Sequence, residues 1–161
     1  MKFNFKIQQY QTDAVENTVA VSRGQPSHTM AEYRRDLGKR SQQKIDFEGE
    51  VGFRNHPLEL NTKTLLENIN TIQNLYDITP SATLAKGAGA VNLDIEMETG
   101  TGKTYVYIKT MFELNKQYGW SKFIIVVPSI AIREGVAKSF TMLEEHFMEH
   151  YRKKARWFVY N

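Results

Sequence analysis

The sequence predicts an α/β fold, a parallel sheet flanked by helices, and three observations lead to that expectation. Residues 91–97 alternate in character, with Val91, Leu93, Ile95 and Met97 on one face, as a half-buried strand does. Residues 104–118 place Val106, Ile108, Met111, Phe112 and Leu114 at helical spacings, and Gly119 is a natural stop. Residues 123–127, Phe-Ile-Ile-Val-Val, form an unbroken apolar run ended by Pro128, the pattern of a strand covered on both faces. Strand, glycine-bearing turn, helix and strand make a βαβ unit over 91–136, whose handedness puts the turn at the carboxyl end of the first strand.

That turn carries the chemistry. Met97-Glu98-Thr99-Gly100-Thr101-Gly102-Lys103-Thr104 reads as a phosphate-binding loop. Gly100 and Gly102 lack a Cβ, so backbone N–H groups can approach phosphate oxygens closely. Lys103 offers a point charge to β- and γ-phosphates, and the Thr104 hydroxyl suits Mg²⁺. Thr99 and Thr101 complete the cradle at the N-terminus of the helix, where the dipole favours anions. The usual pattern opens with Gly; Met97 stands there instead. The expected ligand is ATP with Mg²⁺, bound through Thr99, Gly100, Thr101, Gly102, Lys103 and Thr104. Lys103 and Thr104 are the catalytic candidates, and Thr104 is the metal ligand.

The remaining elements follow in chain order. Residues 3–7 are β-like, and a helix runs through Ala14, Val15 and Val19. Residues 22–60 form a polar insertion in which Phe47, Gly49, Val51 and Phe53 alternate as a small hairpin would. Residues 64–77 predict an amphipathic helix, with Thr64 and Glu67 as a capping box and Leu65, Leu66, Ile69, Ile72 and Tyr76 as its apolar stripe. Residues 80–89 are a small-residue connector. A long helix follows over about 130–150, then a strand candidate at 157–160.

Composition bounds the class without choosing a function. The chain has 161 residues, 41% hydrophobic and 24% charged, which suits one ordinary globular domain. It has no cysteine, which excludes disulfides and thiolate metal sites. No run approaches a membrane span and the polar start has no signal-peptide core, so a cytoplasmic protein with no membrane partner is expected. The net charge of +3 is unevenly spread. Arg34, Arg35, Lys39, Arg40 and Lys44 cluster, as do Arg152, Lys153, Lys154 and Arg156; both runs read first as solvated faces.

Two further segments bear on function. Tyr10-Gln11, ahead of Ala14-Val15, resembles the glutamine motif of helicase-type ATPases. An amide has both a donor and an acceptor for the adenine edge, and an aromatic neighbour can stack on the base. Pro128, Ser129 and Arg133, at the end of the second apolar run, are the DNA-binding candidates; short hydroxyls and backbone N–H groups there can hold a nucleic-acid backbone. Ser129 equally suits a helix cap.

Together Tyr10-Gln11, LDIEMETGTGKTYVY (93–107) and FIIVVPSIAIREGV (123–136) resemble the restriction subunit of type III restriction–modification enzymes, a superfamily 2 helicase-like family. The resemblance runs along the whole chain, with little from 22–60. It implies a RecA-like phosphate-loop lobe, an ATP-dependent translocase on double-stranded DNA coupled to an endonuclease, and a methyltransferase partner subunit that supplies site recognition. Other superfamily 2 helicases, type I restriction motors and a non-catalytic nucleotide- or DNA-binding module are the alternatives. Such motors need an Asp-Glu motif on a later strand to hold Mg²⁺ and orient water, and the chain has no Asp-Glu pair. Glu144-Glu145-His146 follows no apolar run and does not replace it. A second lobe with its arginine finger and a nuclease domain are also missing. The expectation is a piece of a longer enzyme that does not turn over ATP usefully by itself.

One rival pattern exists. His146-Phe147-Met148-Glu149-His150 matches the His-x-x-Glu-His signature of some zinc peptidases. A catalytic zinc needs a third ligand from elsewhere, and His28 and His56, in the polar zone, suggest no metal site with these two. A polar helix surface is the simpler reading.

Overall fold

The computed structural model describes residues 6–28, 55–87, 89 and 91–160. Among these residues there are four helices: α1 (Gln9–Ala20), α2 (Thr62–Leu75), α3 (Lys103–Tyr118) and α4 (Ile130–Tyr151). None is long and apolar enough to cross a membrane.

Helix α3 is the centre. Val106 and Ile108 lie two residues apart, about 200° around a helix, so they face opposite sides. Val106 joins Val15 and Val19 of α1 and Tyr118 in one buried cluster. Ile108 joins Leu143 and Phe147 of α4 in another, lined by Tyr105, Met111, Phe112 and Tyr151. α3 is thus held between α1 and α4, while α2 contacts α1 and its Asn68 amide donates to Val21 O and Arg23 O, just beyond α1, at 2.9 Å each. The buried Thr110 hydroxyl satisfies itself on Val106 O at 2.8 Å.

The helix ends follow local chemistry. Gly119 ends α3 at φ 78°, its N–H donating to Asn115 O at 2.9 Å. Ser129 caps α4 by accepting from Ile132 N at 3.3 Å. The cap of α2 differs from the expected Thr64 box: Asn61 accepts from Thr64 N at 2.9 Å and the helix begins at Thr62. An Asn three residues earlier reaches that N–H first, which leaves Glu67 to pair with Lys63 at 3.8 Å.

The parallel sheet is the main correction. No strand occurs among the described residues, so the expected α/β, RecA-like lobe is not what the structure contains; its described part is helical. The three predicted strands at 91–97, 123–127 and 157–160 are irregular segments. Their side chains still alternate: Ile124 and Val126 are 91% and 88% exposed, while Phe123 and Ile125 are 37% exposed. Period-two patterning sets which way side chains point, but a strand also needs a neighbour's N–H and C=O groups. No described segment supplies them. Ile7 of the β-like start is likewise exposed and outside any strand. The hairpin over Phe47–Phe53 and the Arg34–Lys44 cluster lie outside the described residues.

The two described ends of the polar insertion are tied together. The buried Gln25 amide donates to Pro57 O at 3.2 Å and accepts from Glu59 N at 2.8 Å. His28 stacks on His56 at 3.8 Å and meets Glu59 Oε1 at 3.0 Å. Trp120 Nε1 donates to His56 O at 3.0 Å, and Asn55 Oδ1 accepts from Ser121 N and Lys122 N at 2.9 Å each. These bonds fasten the insertion's base to the turn after α3.

Candidate phosphate-binding site

The loop from Met97 to Thr104 turns through two left-handed glycines, Gly100 at φ 84° and Gly102 at φ 91°. An L side chain at either position would cost about 1–2 kcal/mol in backbone strain. Inside the turn, Thr101 N–H and its hydroxyl both donate to Glu98 O, at 3.4 and 2.6 Å. Gly102 then starts α3, whose hydrogen bonding begins with Val106 N donating to Gly102 O at 3.1 Å. The amides before it in the first turn are not needed by the helix, and no acidic residue occupies that turn. An unspent set of N–H groups at the positive end of a helix suits an anion.

Helix α1 grips the loop directly. Thr101 O accepts from Gln11 Nε2 at 2.8 Å and from Tyr10 OH at 3.1 Å. Gln11 also crowds residue 102: a Cβ there would sit 2.5 Å from Gln11 Nε2 and push that amide off Thr101 O. Gly100 meets nothing within 4 Å and faces open space. Lys103 is exposed, and its ammonium donates to Met97 O. An open hollow of about 520 Å³ lies along Ile95–Glu98 and Lys103. A second, of about 280 Å³, lies between Gln11, Gly102 and Tyr105 on one side and Ser139, Met142 and Leu143 of α4 on the other.

The structure therefore brings together Tyr10, Gln11, Thr101, Gly102 and Lys103, with Thr99, Gly100 and Thr104 between or beside them in the chain. Pro128, Ser129 and Arg133 form a separate group at the N-terminus of α4. Ser139 lines the hollow beside Gly102, and Ser129 is ten residues back, about 15 Å along the helix axis. Ser129 Oγ is engaged as the cap, and the Arg133 guanidinium meets Glu134 Oε1 at 3.1 Å.

Sequence reasoning missed the link from α3 to α4. Tyr105 OH and His146 Nε2 are 3.1 Å apart, and His146 packs beside His150 at 4.4 Å. Burial holds the His146 pKa below its ordinary value of 6.5, and the neighbouring His150 and Lys109 push the same way against Glu149. Burial likewise pushes the Tyr105 hydroxyl up. His150 Nδ1 meets His146 O at 2.8 Å. With these nitrogens so engaged, and with no group of three metal-ligating side chains among the described residues, His146, Glu149 and His150 do not assemble a zinc centre. Below them, Tyr151 OH donates to Glu113 Oε1 at 2.7 Å, and burial together with that carboxylate pushes the phenol far up. A partnership between residues 41 apart leaves no local pattern; the only hint was the histidine pair at helical spacing.

Comparison with known proteins agrees with the motifs. The family model described as "Type III restriction enzyme, res subunit" matches residues 4–157. The Res subunit of the type III restriction-modification enzyme EcoP15I from Escherichia coli is 39% identical over 107 residues, 65% of this chain and 11% of that protein. The EcoPI Res subunit of Escherichia phage P1 is 38% identical over 107 residues, with the same shares. The StyLTI Res subunit of Salmonella typhimurium is 50% identical over 62 residues, 37% of this chain and 6% of that protein. The chain thus spans about a tenth of the length of the first two relatives. With nearly all of its residues inside the match, the chain belongs to the family of type III restriction enzyme res subunits.

Proposed function

We propose that residues 97–104 hold the phosphates of ATP with Mg²⁺, and that the chain is the ATP-binding part of a DNA-translocating type III restriction enzyme. The carrying observation is the geometry at Gly102. A left-handed glycine delivers the chain into the N-terminus of α3, with Lys103 as the first helical residue and no acid in the first turn. The residues present fit a triphosphate: Gly100 faces open space, and the first-turn amides are unspent. Lys103 would meet the β- and γ-phosphates and Thr104 would ligate Mg²⁺. Bound Mg²⁺ supplies charge neutralisation at the phosphates. Tyr10 and Gln11 donate to Thr101 O at the loop, and an adenine role for them would use the Gln11 amide groups that this bond leaves over and the Tyr10 ring face.

Double-stranded DNA and a methyltransferase subunit are the partners this reading implies, and Pro128, Ser129 and Arg133 at the start of α4 are the residues that would meet DNA phosphates. The chain has no Asp-Glu pair to orient a hydrolytic water. Binding without steady-state turnover is therefore the expected behaviour.

The test is equilibrium binding of ATP, ADP and AMP to the folded chain in the presence of Mg²⁺. Affinity should fall in that order, since each phosphate removed takes contacts from Lys103 and the loop amides. AMP binding as tightly as ATP would contradict a phosphate site here.

A further inference from the structure

The first position of the loop is the one that departs from the usual glycine, and Met97 there is not idle. Its half-buried side chain packs against the cluster of Val15, Val19, Val106 and Tyr118, at the seam between α1 and α3. Its carbonyl accepts the Lys103 ammonium. We propose that Met97 is a positioning residue: the thioether anchors the loop's first peptide in the α1–α3 seam and so fixes the carbonyl on which Lys103 rests. The proposal rests on the phosphate reading above.

Preorganisation is what the anchor supplies. Helix α1 holds the far side of the loop through Tyr10 and Gln11 on Thr101 O, and its Val15 and Val19 face holds the near side through Met97. A loop pinned at both ends has less freedom to lose when a ligand arrives. Glycine at 97 would have no side chain to place in the seam and would widen the backbone's choices. Methionine suits the position because an unbranched, polarizable chain fills an irregular gap. Met97 and the aromatic–glutamine pair on α1 thereby become parts of one device.

The experiment compares the full chain with Met97→Gly, Met97→Leu and Leu114→Ala. Two quantities are read: ATP–Mg²⁺ affinity, and hydrogen exchange of the loop amides at Thr99 to Gly102 without nucleotide. Met97→Gly, which restores the usual loop pattern, should weaken binding about tenfold, the order of re-fixing one freed residue. It should also speed loop exchange. Met97→Leu, a volume-conserving swap, should stay within about twofold of the parent in affinity. Leu114→Ala thins the same cluster from α3. It should lower the thermal midpoint while leaving affinity and loop exchange unchanged at temperatures where the chain is folded.

The proposal is overturned if Met97→Gly binds as tightly as the parent, or if Leu114→Ala weakens binding as much as Met97→Gly does. A parent chain that binds no ATP would sink the phosphate reading. The exchange measurement would then still judge the anchor: unchanged exchange in Met97→Gly removes it, and faster exchange supports it.

Discussion

Residues 97–104 and residues 123–127 are both short, distinctive segments beside helix α3 or α4, and the structure treats them oppositely. The loop is held from three sides: by Tyr10 and Gln11 on Thr101 O, by the Met97 contact with the α1–α3 cluster, and by its own Glu98–Thr101 bonds. The apolar run alternates in exposure but has no described partner, and Ile124 and Val126 stand almost fully exposed. A glycine loop is fixed by its own backbone and by nearby helices, whereas an apolar run becomes a strand only when another backbone comes alongside it.

Truncating one residue in each kind of surroundings should give the largest contrast. Ile108 is fully buried between α3 and α4, and Ile108→Ala should destabilise the chain by about 2–5 kcal/mol in denaturant unfolding. Ile124→Ala should move the same midpoint by less than about 0.5 kcal/mol, the usual range for an exposed site. Equal effects would mean that residues 123–127 are packed in solution and the contrast is wrong.

A smaller effect separates the two loop glycines. Gly100→Ala and Gly102→Ala both force an L residue into left-handed backbone, at about 1–2 kcal/mol each. Only at 102 does the new Cβ also meet Gln11. Gly102→Ala should therefore be the more destabilising, and the excess should vanish in a Gln11→Ala background. An excess that survives there would show that Gln11 is not what crowds the position.

The smallest expected effect concerns the α3–α4 side. His146 is held neutral by burial, so its folded pKa lies below the unfolded value of 6.5. The unfolded chain then binds more protons as pH drops, and stability should be complete above about pH 6.5 and decline as pH falls below it. His146→Gln should flatten that decline in unfolding midpoints taken across the range. A parallel decline in both proteins would assign it to other groups.

What could be read from the sequence divides along the same line. Gly100, Gly102 and Lys103 marked the loop, Gly119 and Ser129 marked helix ends, and all five are visible because their conformational effects are local. The cap of α2 was misplaced by three residues because Asn61 and Thr64 compete for one N–H, and sequence alone does not say which wins. The sheet was expected from 91–97, 123–127 and 157–160 because patterning reports side-chain direction, not pairing. The Tyr105–His146 contact and the Gln25–Glu59 clamp join residues 41 and 34 apart, and separations of that size leave no periodic trace. Tyr10 and Gln11 were singled out for adenine; the structure adds their bonds to Thr101 O, which no spacing rule anticipates.

The most direct test of the central claim is a calorimetric titration of the chain with ATP–Mg²⁺, run in parallel with Lys103→Ala. A charge-assisted contact is worth about 1.5–3 kcal/mol, so the variant should bind at least tenfold more weakly than the parent at unchanged fold. Equal affinity in the two proteins, or no heat of binding to the folded parent, would contradict the assignment of residues 97–104 as a phosphate site.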